Sequence, residues 1–214
     1  NILEDTGYYP NGTLRPERSA AIEIARTGKS VIISNNKISR SQYGILMSPT
    51  VAGLEGVPEG ASPSGVNVDR CIIESNTIEG CEYTSLVYGN NSSPTVIELK
   101  PGIIKNNHIN MPSGANYGIG VLNPTGEDGV RAIVEGNVIE GAGIGADCAG
   151  MSIRHSAVIA NVLNNDISHV DRGIEFGANT VVGTSIGYVS HRYVGENVLI
   201  DNNIFANVQK AYQV

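Results

Sequence analysis

The chain has no tryptophan, only two phenylalanines and only three cysteines among its 214 residues, and charged side chains make up 16% of it. Each shortage excludes something. No apolar run comes near the roughly 18–20 residues that a membrane-spanning helix requires, so insertion into a bilayer by a helix is not expected. No N-terminal stretch has the order of a secretory signal and no initiating Met is present. A chain that opens at Asn1 reads as a processed product or as a fragment of something longer. The net charge of −7 argues against general binding to nucleic acid or to anionic membranes, which both select for basic surfaces. Cys71, Cys81 and Cys148 are odd in number and have no metal-ligand spacing, so a full disulfide framework is not expected. Cys71 occupies an apolar strand position and reads as a buried thiol. No Gly-rich phosphate loop, zinc motif or nucleophile elbow is present, and nonapeptide calcium repeats are missing.

What the chain does have is isoleucine and asparagine: 25 Ile against 9 Leu, and 22 Asn. β-Branched residues punctuated by Asn and Gly favour short strands and turns. They are arranged in one phrase written six times: VIISNNKI from Val31, CIIESNTI from Cys71, GIIKNNHI from Gly102, AIVEGNVI from Ala132, ANVLNNDI from Ala160 and VLIDNNIF from Val198. The equivalent asparagines are Asn36, Asn76, Asn107, Asn137, Asn165 and Asn203, separated by 40, 31, 30, 28 and 38 residues. A period in this range marks stacked supersecondary units, none of which has enough apolar surface to fold alone. A second phrase follows each copy, with a small residue leading a short strand, as in Tyr43–Met47, Thr84–Tyr88, Tyr117–Leu122, Ala149–Ile153, Arg172–Phe176 and Lys210–Val214. Stacking such coils pairs every strand with its copies above and below at about 4.8 Å, so equivalent residues form ladders. Asn suits a ladder position because it both donates and accepts and tolerates the left-handed conformation of a tight turn.

The expected fold is therefore a right-handed, single-stranded parallel β-helix of about six to seven coils with an asparagine ladder. Residues 1–18 show no period and read as a lead-in or linker, with the β-helix domain over residues 19–214. The position two before the ladder Asn holds Ser34, Glu74, Lys105, Glu135, Leu163 and Asp201. Lys105 between two glutamates reads as an outward charge ladder, worth roughly 0.2–1 kcal/mol per pair. Insertions fall at one point of the coil: Ser48–Asp69, Gly89–Pro101, Asn123–Val130 and Gly177–Asn197. Per-repeat insertions map to one face of a solenoid, often the binding face.

On the Asn phrase and its companion, the chain from about Ala20 onward resembles the right-handed parallel β-helix families, which include pectate-lyase-like proteins, phage tailspikes and alginate-epimerase-like proteins. The resemblance implies a protein of the extracellular space or a virion surface that engages a polysaccharide. It implies a homotrimer if the kinship is to tailspikes, and a polysaccharide lyase or glycoside hydrolase if the chain is an enzyme. No protein-bound cofactor is expected, with calcium as the one ion such lyases use to neutralise a uronate. Signatures of individual activities are missing: there is no epimerase YGxDPH-like motif and no run of vicinal aspartates. The best cluster is Asp171-Arg172-Gly-Ile-Glu175. Strand alternation places Asp171 and Glu175 on one face as a carboxyl pair and Arg172 on the other as a contact for an anionic sugar. Asp128 and Arg131, and Tyr188, His191, Arg192 and Tyr193 in the last long insertion, are further substrate-binding candidates, with Tyr88, Asn90 and Asn91 in the same wall of loops. The competing reading is a non-enzymatic stalk, adhesin or baseplate segment.

Overall fold

The computed structural model describes residues 1–6, 8–13, 19–24, 30–47, 71–89, 102–122, 131–154, 159–176 and 198–213. These residues form a right-handed parallel β-helix of three sheets, and no helix occurs among them. Sheet I has six strands: Val31–Ser34, Cys71–Glu74, Gly102–Lys105, Arg131–Glu135, Ile159–Leu163 and Val198–Asp201. Sheet II has seven: Ile2–Glu4, Lys37–Ser39, Thr77–Glu79, His108–Asn110, Val138–Glu140, Asp166–Ser168 and Ile204–Ala206. Sheet III also has seven: Ala20–Ile24, Tyr43–Met47, Thr84–Gly89, Tyr117–Leu122, Ala149–Arg154, Arg172–Phe176 and Lys210–Gln213. The chain runs through sheets I, II and III in turn, so six full coils follow one partial coil.

The bend from sheet I to sheet II takes two residues. The first is left-handed, with φ of 51–63° at Asn35, Ser75, Asn106, Gly136, Asn164 and Asn202. The second is the ladder Asn, whose Nδ2 donates to the Oδ1 of the Asn in the next coil at 2.8–3.0 Å from Asn36 through to Asn203. The ladder starts one rung earlier than the repeated phrase suggested. Asn1 Nδ2 donates to Asn36 Oδ1 at 2.9 Å, and Ile2–Glu4 pairs in register with Lys37–Ser39. The opening residues Asn-Ile-Leu are thus a truncated copy of the turn and second strand, too short for periodicity to reveal.

Inside, Ile38, Ile78, Ile109, Ile139 and Ile167 stack as a fully buried column along sheet II, continued by the partly buried Phe205. The small residue leading each sheet III strand backs onto this column. A Cβ at Gly44, Gly118, Gly150 or Gly173 would come within 3 Å of the next coil's carbonyl oxygen and of the Ile or Phe ring of the column. That contact is why a small side chain recurs there. Outside, Lys105 Nζ lies 3.0 Å from Glu74 Oε2, as the charge ladder requires, and His108 is exposed. Cys71, Cys81 and Cys148 are free and buried, and burial pushes the Cys71 thiol up to about 12.

Apart from Gly89, which ends the strand Thr84–Gly89, the four long insertions lie outside the described residues, as do Asn90, Asn91, Asp128, Tyr188, His191, Arg192 and Tyr193. The strands flanking the insertions are described. The strands on either side of each insertion are a sheet III strand and the next sheet I strand; the coil between the third and fourth insertions has only residues 155–158 at that place.

Candidate functional site

Arg172–Phe176 was expected to alternate from its first residue. The structure departs from this at Gly173: Gly173 and Ile174 both turn inward, Gly173 against Phe205 and Ile174 into the core. The alternation restarts after that step, so Arg172 and Glu175 share the outward face and their side chains meet, Nε to Oε2, at 2.9 Å. Arg172 also donates through Nη1 to Asp147 Oδ1 at 2.6 Å and through Nη2 to the Asp147 carbonyl at 3.1 Å. The guanidinium is therefore held on two sides by carboxylates, and these partners keep its pKa above the ordinary arginine value despite partial burial.

Asp171 points elsewhere. It is buried, and its two oxygens accept from the backbone N–H groups of Gly145, at 2.7 Å, and Cys148, at 3.2 Å. The Gly145 hydrogen bond is the main cause that holds its pKa below the usual aspartate value. Gly145 and Cys148 belong to the segment of residues 141–148, which joins sheet II to sheet III and is longer than the three-residue connections at residues 40–42, 169–171 and 207–209. Asp171 and Arg172 thus fasten a lengthened turn to the next coil. A general acid needs a carboxyl whose pKa is raised, whereas Asp171 has the opposite shift and both oxygens engaged. A cation does not fit between Asp147 and Glu175 either, because Arg172 already lies between them. Among the described residues, no group of three or more His, Cys, Asp or Glu could hold a metal ion.

The remaining candidates fall as follows. Arg131 opens a sheet I strand, where its backbone pairs with Ile159; its side chain is outside the description. Tyr88, expected in a wall of loops, is fully buried in the core. Its ring lies over Gly102, where a Cβ would fall within 3 Å of it. The phrase that starts with Val, Cys or Ala in other coils starts with Gly here because Tyr88 fills that volume.

A second constellation is one that the sequence reading did not single out. At the corner between sheets II and III, in the first coils, the Tyr43 and Tyr83 rings lie 5.6 Å apart with their planes at 39°. Tyr83 is 41% exposed and Tyr9 42%. Tyr8 donates its hydroxyl to Glu82 Oε1 at 2.5 Å, and the Arg40 guanidinium lies 5.5 Å from the Tyr8 ring centroid while pairing with Asp5 at 3.0 Å. Burial, followed by the Glu82 bond, pushes the Tyr8 phenol up to about 12, so it stays a neutral donor. The corner combines the exposed Tyr83 ring with cationic and anionic groups drawn from the opening segment and from two successive turns, residues 40–42 and 80–83. A signal for it was present in the sequence, since Tyr43, Tyr83 and Tyr117 recur at or beside the start of successive sheet III strands.

No family model, no curated protein and no solved structure matches the chain.

Proposed function

We propose that this chain is a glycan-engaging β-helix that holds its ligand at the tyrosine corner and does not cleave it with Asp171 and Glu175. The observation that carries the reading is the Tyr43–Tyr83 ring pair, of which Tyr83 is exposed, next to Glu82, which accepts from the Tyr8 hydroxyl while Arg40 lies over the Tyr8 ring. Aromatic side chains offer an apolar face and a polar tip, which matches a sugar ring with its apolar C–H face and hydroxyl edge. Arg40 and Glu82 supply the donors and acceptors that hydroxyl groups need. Asp171, with both oxygens bonded to backbone N–H, favours binding over hydrolysis or elimination. Kinship to pectate-lyase-like proteins or tailspikes, and a place outside the cell or on a virion surface, belong to the same proposal and rest on the repeated Asn phrase.

Retention on a panel of immobilised neutral and uronate-bearing polysaccharides tests the reading. The parent should be retained by at least one of them, and Tyr83→Ala, at an exposed position, should lose retention without a change in its thermal transition. Lack of retention on every member, or full retention by the variant, would sink the tyrosine corner as a binding site. Release of new reducing ends or unsaturated products, abolished in Asp171→Asn, would overturn the non-cleaving reading. The rival reading, a rigid spacer with no ligand, is favoured by the Asn ladder, which runs without a break through every coil.

A further inference from the structure

Residues 9–13 form a tight hairpin that carries the one Asn-Gly pair of the chain, Asn11-Gly12. The Tyr9 N–H donates to the Thr13 carbonyl at 2.8 Å and the Gly12 N–H to the Tyr9 carbonyl at 2.9 Å, so Tyr9-Pro10-Asn11-Gly12 is a β-turn. Gly12 is left-handed, with φ of 80°, and a Cβ there would meet nothing within 4 Å. Asn11, Gly12 and Thr13 are all exposed. The Asn11 side chain folds back over the turn, and its Oδ1 accepts from the Thr13 N–H at 3.0 Å. Asn76, Asn107 and Asn137 differ in every respect: they are buried, their amides are bonded to both neighbouring rungs, and each is followed by a residue with a side chain.

We infer that Asn11 is a site of spontaneous covalent modification, where the folded chain converts its own side-chain amide to a carboxylate through a cyclic imide. Hydroxide removes the Gly12 N–H proton, and the nitrogen attacks Asn11 Cγ. The carbonyl electron pair moves onto Oδ1, at which the Thr13 N–H already points. A donor fixed at the atom that gains charge stabilises that intermediate. The pair then returns, the Cγ–Nδ2 bond breaks, and Nδ2 leaves as ammonia with a proton from water. A second water opens the five-membered ring at either carbonyl, which leaves aspartate or isoaspartate at position 11. In sum one water is taken up and one ammonia released, with no oxidant, metal or partner. Glycine at position 12 has no Cβ to crowd its attacking nitrogen. The Gly12–Tyr9 hydrogen bond has to open first, and exposed turns are where backbone bonds open at least cost. Isoaspartate adds a methylene to the backbone between Tyr9 and Thr13, so the two no longer face each other across the hairpin. The new charge lies three residues from Tyr8, whose hydroxyl bonds Glu82. This inference stands independently of the glycan reading.

The full chain, incubated folded at about pH 8.5 and at about pH 6 and then digested for peptide mass spectrometry, tests this. The peptide that holds Asn11 should gain one mass unit and split into two chromatographic forms, faster at the higher pH, while those holding Asn76, Asn107 and Asn137 stay unchanged. Gly12→Ala should slow the conversion at least about tenfold, because a methyl group crowds the attacking nitrogen. The same chain unfolded in concentrated urea supplies the comparison that needs no variant. There the ladder asparagines lose their burial, but Asn11 keeps its glycine. An Asn11 still intact in the folded chain when half of it has converted in urea would overturn the inference, since the hairpin would then protect the amide. So would a Gly12→Ala variant that converts as fast as the parent, or ladder asparagines that convert in the folded chain as fast as Asn11.

Discussion

Replacing Asn107 with leucine tests whether the ladder is internal support or turn chemistry wetted by solvent. Asn107 is 1% exposed. Its Oδ1 accepts from the Asn76 backbone N–H at 3.0 Å and from Asn76 Nδ2 at 2.9 Å, and its Nδ2 donates to the Ile73 carbonyl and to Asn137 Oδ1, each at 3.0 Å. Leucine is close in size but carries none of these groups. Asn137 Oδ1 keeps a partner, since the backbone N–H of residue 107 still donates to it, and Asn76 Nδ2 keeps the Ile33 carbonyl. The Asn76 backbone N–H is left without its acceptor in a dry interior, at about 1–3 kcal/mol, and the other lost bonds cost about 0.5–1.5 kcal/mol each. With three such bonds lost, the expected loss is about 2.5–7.5 kcal/mol. Urea titration followed by circular dichroism and tyrosine fluorescence would measure it from the midpoint shift at constant slope. His108→Leu, one residue on and exposed, is the control and should fall within about 0.5 kcal/mol. A shift for Asn107→Leu as small as the control's would refute the ladder argument.

Two further predictions follow from single contacts. Gly102→Val drives a side chain into the Tyr88 ring and should cost about 1–3 kcal/mol as overpacking. In a Tyr88→Leu background the same change should cost at least about 1 kcal/mol less, and an additive thermodynamic cycle would show that the two residues do not share the space. Asp171→Asn removes an ionised acceptor from Gly145 and Cys148 and should cost about 1.5–3 kcal/mol at neutral pH. Because the folded-state pKa of Asp171 is lowered, its contribution is complete above the unfolded value near about 4 and disappears as pH falls through the folded value. The gap between parent and variant should thus close only in acid below about pH 4, and a gap of unchanged size there, or none at pH 7, would contradict the clamp.

The sequence by itself determined the coil. Strand alternation, the Asn turn and the small residue leading each sheet III strand are local patterns, and every repeat states them again. Six copies therefore specify the Asn ladder, the buried column from Ile38 to Ile167, the Lys105–Glu74 pairing and the burial of Cys71 before any contact between coils is known. The rung at Asn1 escaped notice because it is a single truncated copy, and one copy has no period. What only the tertiary structure decided is what meets across coils at positions that do not repeat. Asp171 bonds residues 26 and 23 positions away, through the longest of the described connections between sheets II and III, which vary from three to eight residues. The double inward step at Gly173, against Phe205, and Ile174 put Arg172 on the same outward face as Glu175, where simple alternation had paired Glu175 with Asp171. Tyr8 and Glu82 are 74 residues apart, and their bond depends on the lengths of the segments between them. A repeat fixes which residues share a ladder, but the reach of each connecting segment fixes which unlike residues touch, and that reach is a property of the folded stack.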